Sequence, residues 1–375
     1  MDLTDTGTSL TVQSPGRINI IGEHTDYNDG FVLPAAVDKK TTVQIARNGS
    51  PALCRVTAAN FGEHFEFSLD HFSPLKAGWQ NYVMGVVHEL QQLGGRIEGF
   101  DCRFEGDVPI GSGMSSSAAL ECSLAYALNE LFTLGFGRDR LIKAGQMAEH
   151  RFVGIKCGIM DQFASMMGKK DHAILLDCRS LEYRYFPLEL GEYQLLLLNT
   201  NVTHALASSG YNTRRAECEE GVALLKRRFQ DITHLRDVTP AQLAEMRSQM
   251  PETIFRRCTH VVSENERVLA ATRALSSGDL PALGQLMYRS HVSLQHDYEV
   301  SCPELDFLVE RSLHADAVLG SRMMGGGFGG CTISLVEKNK CDEWVDDVSR
   351  AYLARFGILL TPYSVSIGDG TGVVL

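Results

Sequence analysis

Pro109-Ile-Gly-Ser-Gly-Met-Ser-Ser-Ser-Ala-Ala119 limits the architecture more than any other stretch, because two glycines and three serines run straight into an apolar, helix-forming segment, Leu120 to Phe132. Gly111 and Gly113 let the backbone turn its N–H groups toward an anion. Ser115, Ser116 and Ser117 add hydroxyl donors at a helix N-terminus, where unpaired amides and the macrodipole already favour negative charge. The segment reads as a phosphate cradle, with a Gly/Ser turn capping an ordinary helix as the plainer alternative. No Lys follows a glycine, so it is not a Walker A loop, and no third glycine is present, so it is not the dinucleotide fingerprint.

A chain of 375 residues, 44% hydrophobic and 22% charged, is long enough for two cores. Two domains are expected. The net charge of −11 recruits neither nucleic acid nor an anionic membrane, so an anionic substrate must meet local cations. The opening Met1-Asp-Leu-Thr-Asp5 lacks a basic region followed by an apolar core. No apolar run approaches the ~18 residues of a membrane span, and a soluble, unexported protein is expected. Ten cysteines at wide spacings, with no Cys-x-x-Cys pair, form neither a zinc pattern nor a dense disulfide framework. They fit reduced cytoplasmic thiols. A monomer is the default expectation.

Periodicity and punctuation place strands at Leu10 to Gln13, Ile18 to Ile21, Phe31 to Val37, Thr41 to Ala46 and Phe65 to Leu69. Helices are expected over Asn81 to Leu93, Ser116 to Phe132, Asp139 to Phe152 and Asp161 to Met167. A second alternation starts at Ala173 to Asp177 and Tyr193 to Leu198. It continues with helices over Tyr211 to Arg228, Pro240 to Met250, Thr253 to Ser276 and onward to about Leu319, a strand at Thr332 to Val336, a helix near Glu343 to Phe356 and a last β-like run. The domain boundary falls near residues 170 to 185.

Two further clusters carry chemistry. Met323-Met-Gly-Gly-Gly-Phe-Gly-Gly-Cys331 formally contains Gly-x-Gly-x-x-Gly at Gly325, Gly327 and Gly330, but a helical stretch is expected before it and a β-rich run after it, the wrong order for a dinucleotide site. It reads as a loop closing on the phosphate site from the second domain, or as a tight hairpin. Ser14 to Gly30 contains a strand that breaks at Gly22 and delivers Glu23, His24, Asp26 and Tyr27 onto one turn, with Arg17 at the strand's other end. Carboxylates and imidazole at one turn suit a polyhydroxylated ligand, since each takes a hydroxyl in fixed geometry. Singly, each would be an ordinary turn residue.

These motifs, together with Cys157-Gly158-Ile-Met-Asp161-Gln162, Ser208-Ser-Gly-Tyr211-Asn-Thr-Arg-Arg215 and Asp297-Tyr-Glu-Val-Ser-Cys-Pro-Glu-Leu-Asp306, resemble the GHMP small-molecule kinases over nearly the whole chain, and within them the branch that phosphorylates galactose. The resemblance implies an α+β, two-domain fold. Its N-terminal domain, residues 1–175, has ribosomal protein S5 domain 2-like β/α topology, with the sugar signature at about 10–50 and the phosphate loop at about 106–120. Its C-terminal domain, 176–375, is a ferredoxin-like-derived α/β domain carrying the glycine loop 325–330, with the last strand returning to the first domain and the active site in the cleft.

The resemblance further implies transfer of the γ-phosphoryl of ATP to the C1 hydroxyl of α-D-galactose with Mg²⁺, the opening step of galactose catabolism. On matching positions, Glu23, His24, Thr25, Asp26, Gly158 and Tyr211 hold the sugar, with Asp161 beside the C1 hydroxyl and Arg17 bridging Asp161 and the phosphate. Gly111, Ser112, Gly113, Met114, Ser115, Ser116 and Ser117 wrap the ATP phosphates, Ser117 and Glu149 bind Mg²⁺, and Trp79 and Asn81 resemble the adenine side.

Phosphoryl transfer through a loose transition state is mostly positioning and charge neutralisation, which amide donors, a metal and one guanidinium provide. At about 4 Å and an effective dielectric of about 20, Arg17 favours ionised Asp161 by about 4 kcal/mol before desolvation. Asp161 is therefore expected to orient the hydroxyl and accept its proton late. The chain reaches its first motif early, carries Met324 where the family usually has Thr, and follows the family only loosely at Ser366 to Gly372. A kinase for N-acetylgalactosamine or another small molecule, and a non-catalytic sugar- and ATP-sensing regulator, stay open as alternatives.

Overall fold

The computed structural model describes residues 9–203 and 207–374. The Met1 to Asp5 opening falls outside them, as do the side chains of Ser208 and Ser209.

The first half supplies strands β1 (Leu10–Asn19), β2 (Phe31–Val32), β3 (Pro34–Arg47), β4 (Leu53–Ala58), β5 (Glu63–Ser68) and β6 (Phe100–Gly106), and helices α1 (Gln80–Gln92), α2 (Ser116–Leu131), α3 (Arg138–Ala148) and α4 (Met160–Met167). Then come β7 (His172–Asp177), β8 (Tyr183–Pro187), β9 (Tyr193–Thr203), α5 (Ala207–Lys226), α6 (Pro240–Met246), α7 (Glu252–Ser277), α8 (Leu280–Ser293), α9 (Pro303–Leu313), β10 (Val318–Met323), β11 (Gly329–Glu337), α10 (Cys341–Phe356), β12 (Thr361–Ser364) and β13 (Gly372–Val373). The sheets run β13-β1-β3-β6-β4-β5, β10-β11-β9-β12 and β2-β7-β8. The chain's last strand thus returns to pair with its first, Val12 opposite Val373. No helix among the described residues is long and apolar enough to cross a membrane.

Helix α2 lies across β1 and β3. Its Ala118, Ala119, Ala125 and Ala127 are fully buried, so small side chains let the helix approach the sheet closely and hold its N-terminus at the cleft. One core fills the space between the large sheet and α1 to α4. A second joins the halves: Ile18, Ile20, Leu33 and Met114 from the first pack with Leu197, Val268, Met287, Met324 and Ile333 from the second. The floor of the cleft is therefore solid.

Several expectations are corrected. Leu10 to Gln13 and Ile18 to Ile21 do not form separate strands: β1 runs from Leu10 through Asn19, with a register shift between Pro15 and Arg17. Pro15-Gly16 imitates a turn, but a Cβ on Gly16 would sit 2.7 Å from the Met114 carbonyl oxygen, so the glycine admits the phosphate loop onto the strand. β4 and β6 were not expected, since their polar residues hide the alternation; Arg55 of β4 faces Asp101 of β6 in register, Nη1 to Oδ2 3.3 Å. The helix foreseen over Asp139 to Phe152 stops at Ala148 and widens into a π turn, Glu149–Val153, ended by Gly154 at φ 82°. The glycine cluster is preceded by strand β10, not by a helix. Strands on both sides still exclude a dinucleotide fingerprint, and the cluster connects an antiparallel pair.

Candidate active site

Arg17 leaves β1 beneath the phosphate loop. Its Nε and Nη2 donate to Asp161 Oδ1 at 2.7 and 2.6 Å, and its Nη1 donates to the Gly113 carbonyl. Ser115, in the left-handed region at φ 56°, donates its hydroxyl to Asp161 Oδ2 at 2.5 Å. Guanidinium, carboxylate and serine at the helix tip therefore meet on one cavity of about 280 Å³. Burial alone would lower the Arg17 pKa, but Asp161 and Glu23 outweigh it and the net shift is upward.

The first motif makes the opposite wall. The chain turns at Gly22 and brings Glu23, His24 and Asp26 to the cavity, with Gly158 and Tyr211 beside them. Glycine is required at 158, because a Cβ there would lie 1.9 Å from Asp26 Oδ2. Burial first, and the charge of Asp161 second, push the Asp26 carboxyl up to about 7. Burial and then His260 pull the His24 imidazole down to about 3, which keeps the ring neutral.

Gly111, Gly113, Ser115, Ser116 and Ser117 line the same cavity, as do Gly325 and Gly326 of the β10–β11 connection. The two glycine loops touch backbone to backbone. A Cβ on Gly113 would meet the Met324 carbonyl oxygen at 3.2 Å, and one on Gly330 would meet that of Gly111 at 3.5 Å. Met324 turns its side chain into the core shared by the two halves.

Ser117 Oγ donates to Glu149 Oε1 at 3.0 Å. Burial, followed by Asp161, raises the Glu149 pKa, so the pocket holds more carboxylates than Arg17 can balance. One hydroxyl and one carboxylate beside a phosphate loop suit Mg²⁺, which takes oxygen ligands, keeps several waters and draws others from substrate phosphates. Among the described residues, no group of three or more His, Cys, Asp and Glu is arranged to hold a metal alone.

Five residues expected at the site do not line this cavity. Thr25 is fully buried and donates to the carbonyls of Gly22 and Phe31 at 2.9 and 2.6 Å, so it shapes the turn. Ser112 donates to the Pro109 carbonyl at 2.6 Å, and the Met114 side chain packs in the shared core while its carbonyl accepts from Arg17 N–H at 3.0 Å. Trp79 lies in an adjoining apolar cavity of about 550 Å³ with Phe61, Tyr82, Phe104 and Ile110, joined to the first along Ser116 and Ser117. Asn81 is turned away from both cavities: its amide pairs with the Leu75 backbone, accepting at 2.8 Å and donating at 2.9 Å.

Two residues escaped the sequence reading. Arg322 of β10 is fully buried and donates to the carbonyls of Ile20, Asn19 and Met323 and, at 3.0 Å, to Glu23 Oε1. Gly325 N–H donates to the same oxygen at 2.8 Å, so Glu23 ties the first motif to the glycine loop. The only signal in sequence was one cation in an apolar run before the glycines. Glu121, fully buried in α2, accepts from Gln162 Nε2 at 2.9 Å; burial and then Glu149 raise its pKa. It too is one charge in an apolar segment.

A phosphate loop over a polar, carboxylate-rich pocket, closed by a second glycine loop, is the arrangement of a small-molecule kinase, and the comparisons agree. Residues 81–169 match the GHMP kinases N terminal domain and residues 271–353 the GHMP kinases C terminal. The chain belongs to the GHMP kinases, and within them to the galactokinases. Residues 4–47 match the galactokinase galactose-binding signature. A galactokinase of a Roseiflexus species is 43% identical, with 98% of this chain and 93% of that protein covered; one from Chloroflexus aggregans is 46% identical over 96% and 93%. A crystal structure of Lactococcus lactis galactokinase complexed with galactose superposes with a TM-score of 0.95 at 38% identity, covering 99% and 96% of the two chains. Methanococcus jannaschii mevalonate kinase, at 16% identity and a TM-score of 0.67, covering 97% and 100%, shares the fold.

Proposed function

We propose that this chain transfers the γ-phosphoryl of ATP to the C1 hydroxyl of α-D-galactose, giving α-D-galactose 1-phosphate and ADP. The observation that carries the reading is the convergence of Arg17, Asp161 and Ser115 at one point between the phosphate loop and the Glu23–Asp26 turn. Glu23, His24, Asp26, Gly158 and Tyr211 hold the sugar, and Asp161 takes the C1 hydroxyl. Arg17 orients Asp161, and the carboxylate accepts the proton late, when a loose transition state has made the hydroxyl acidic. Amides of the phosphate loop and the tip of α2 neutralise charge on the phosphoryl oxygens. The apolar cavity at Trp79 takes the adenine. Ser117 and Glu149 hold Mg²⁺, which supplies charge neutralisation on the nucleotide phosphates when bound.

The reading divides the chain at 1–175 and 176–375, and includes a cytoplasmic monomer. A coupled ADP-release assay with galactose, glucose, N-acetylgalactosamine and talose, with and without Mg²⁺, tests it. Mg²⁺-dependent release is expected with galactose first. A preference for glucose would overturn the substrate, and release indifferent to sugar would overturn the reading itself.

A further inference from the structure

Behind the sugar wall, four side chains form an unbroken polar chain. His24 Nδ1 lies 2.7 Å from Tyr27 Oη, Tyr27 Oη lies 2.7 Å from Tyr298 Oη, and Tyr298 Oη lies 3.1 Å from Cys218 Sγ. Of the four, only His24 lines the cavity. Its other nitrogen, Nε2, is buried without a hydrogen bond. The Gly326 backbone lies near enough to the ring to favour a proton on the imidazole.

We propose that Tyr27, Tyr298 and Cys218 are positioning residues that fix His24 as the Nε2–H tautomer, so that it presents one N–H donor to the sugar. This rests on the cavity being the sugar site. Burial raises both phenols well above their ordinary range and lifts the Cys218 thiol to about 11, so each of the three holds one proton near neutrality. The chain of donors can run in either direction. Run toward Cys218, it ends on sulfur, a weak acceptor. Run toward His24, the thiol donates to Tyr298, Tyr298 to Tyr27 and Tyr27 to Nδ1, so the strongest acceptor of the set receives a phenol proton.

The consequence is selectivity. The Glu23 carboxylate accepts hydroxyl protons, whereas an Nε2–H can only donate. A sugar hydroxyl placed between a carboxylate and His24 has both its proton and a lone pair engaged, and an epimer that moves this hydroxyl strands two buried groups at once.

Long-range ¹H–¹⁵N spectra of histidine-labelled protein test the assignment, with the His24 signals identified by their loss in His24→Gln. The expected parent spectrum has an unprotonated Nδ1 and a protonated Nε2. Tyr27→Phe should give mixed tautomers and raise KM for galactose roughly tenfold, with KM for ATP unchanged and kcat within about threefold. Tyr298→Phe, which removes the donor to Tyr27 and the acceptor of the Cys218 thiol but leaves the Tyr27 hydroxyl on Nδ1, should shift both readouts in the same direction by less. A protonated Nδ1 in the parent, or a Tyr27→Phe protein that folds with spectrum and KM unmoved, would overturn the proposal. The spectrum needs no turnover, so failure to phosphorylate galactose would count against the proposed substrate and leave the tautomer to be decided by the nitrogen signals.

Discussion

Asp161 shows how little of a residue's chemistry lies in its own side chain. Two N–H groups of Arg17 hold one of its oxygens and the Ser115 hydroxyl holds the other. Asp161→Asn keeps the shape and loses the proton acceptor, and kcat should fall by about 10² to 10⁴, read by ADP release at saturating galactose. A fall of under threefold would exclude the role. Asp26 makes a different trade. Its carboxyl rises from 3.8 to about 7 in the folded chain, so between those values the folded state binds more protons than the unfolded one. Stability from this group is full below about pH 4 and is lost as pH rises through about 7. Asp26→Asn should therefore raise the melting temperature at about pH 8 more than at about pH 5, while weakening galactose binding, the usual cost of burying a carboxylate beside another for function. Thermal melts at the two pH values check it.

At the scale of elements, the joint between β1 and β10 decides whether the site exists. Arg322 reaches from β10 to the Asn19, Ile20 and Glu23 end of the first motif, and nothing around it is solvent. Arg322→Met leaves Glu23 buried without its cation and should cost about 3–5 kcal/mol in denaturant unfolding. Adding Glu23→Gln should recover much of that stability without recovering activity. The elements were unequally legible. α2 and its serine tip announced themselves by composition, and β11 by its apolar run. β4, β6 and β10 did not, because Arg55, Asp101 and Arg322 are buried or half-buried charges satisfied by partners distant in sequence, and such charges make a strand read as something else. Thr25, Ser112 and Met114 sat in the right motifs, yet their side chains serve the turns and the core.

For the whole molecule, the cleft is set by a core drawn from both halves and by a last strand that returns to the first. Ligands that fill it should stabilise the entire chain: ATP with Mg²⁺ at 100-fold over Kd adds about 2.7 kcal/mol to the apparent stability. Glu149→Gln should remove the part of that gain that depends on Mg²⁺, measured as the melting shift with and without chelator. An unchanged Mg²⁺ dependence would exclude Glu149 as a ligand.

The sequence by itself determined the local chemistry: glycines that free a loop's amides, serines at a helix tip, a turn crowded with hydroxyl acceptors, and hence the family, since these depend on residues adjacent in the chain. Only the tertiary structure decided which of those groups meet. The Arg17–Asp161 pair is foreseen through the family resemblance and not from local pattern; that Arg322 braces Glu23, and that two phenols and a thiol stand behind His24, are contacts across 299 and up to 271 positions that nothing in the sequence announced. Separations of that size leave no trace in local pattern, because what brings the groups together is the packing of two cores rather than the order of neighbours.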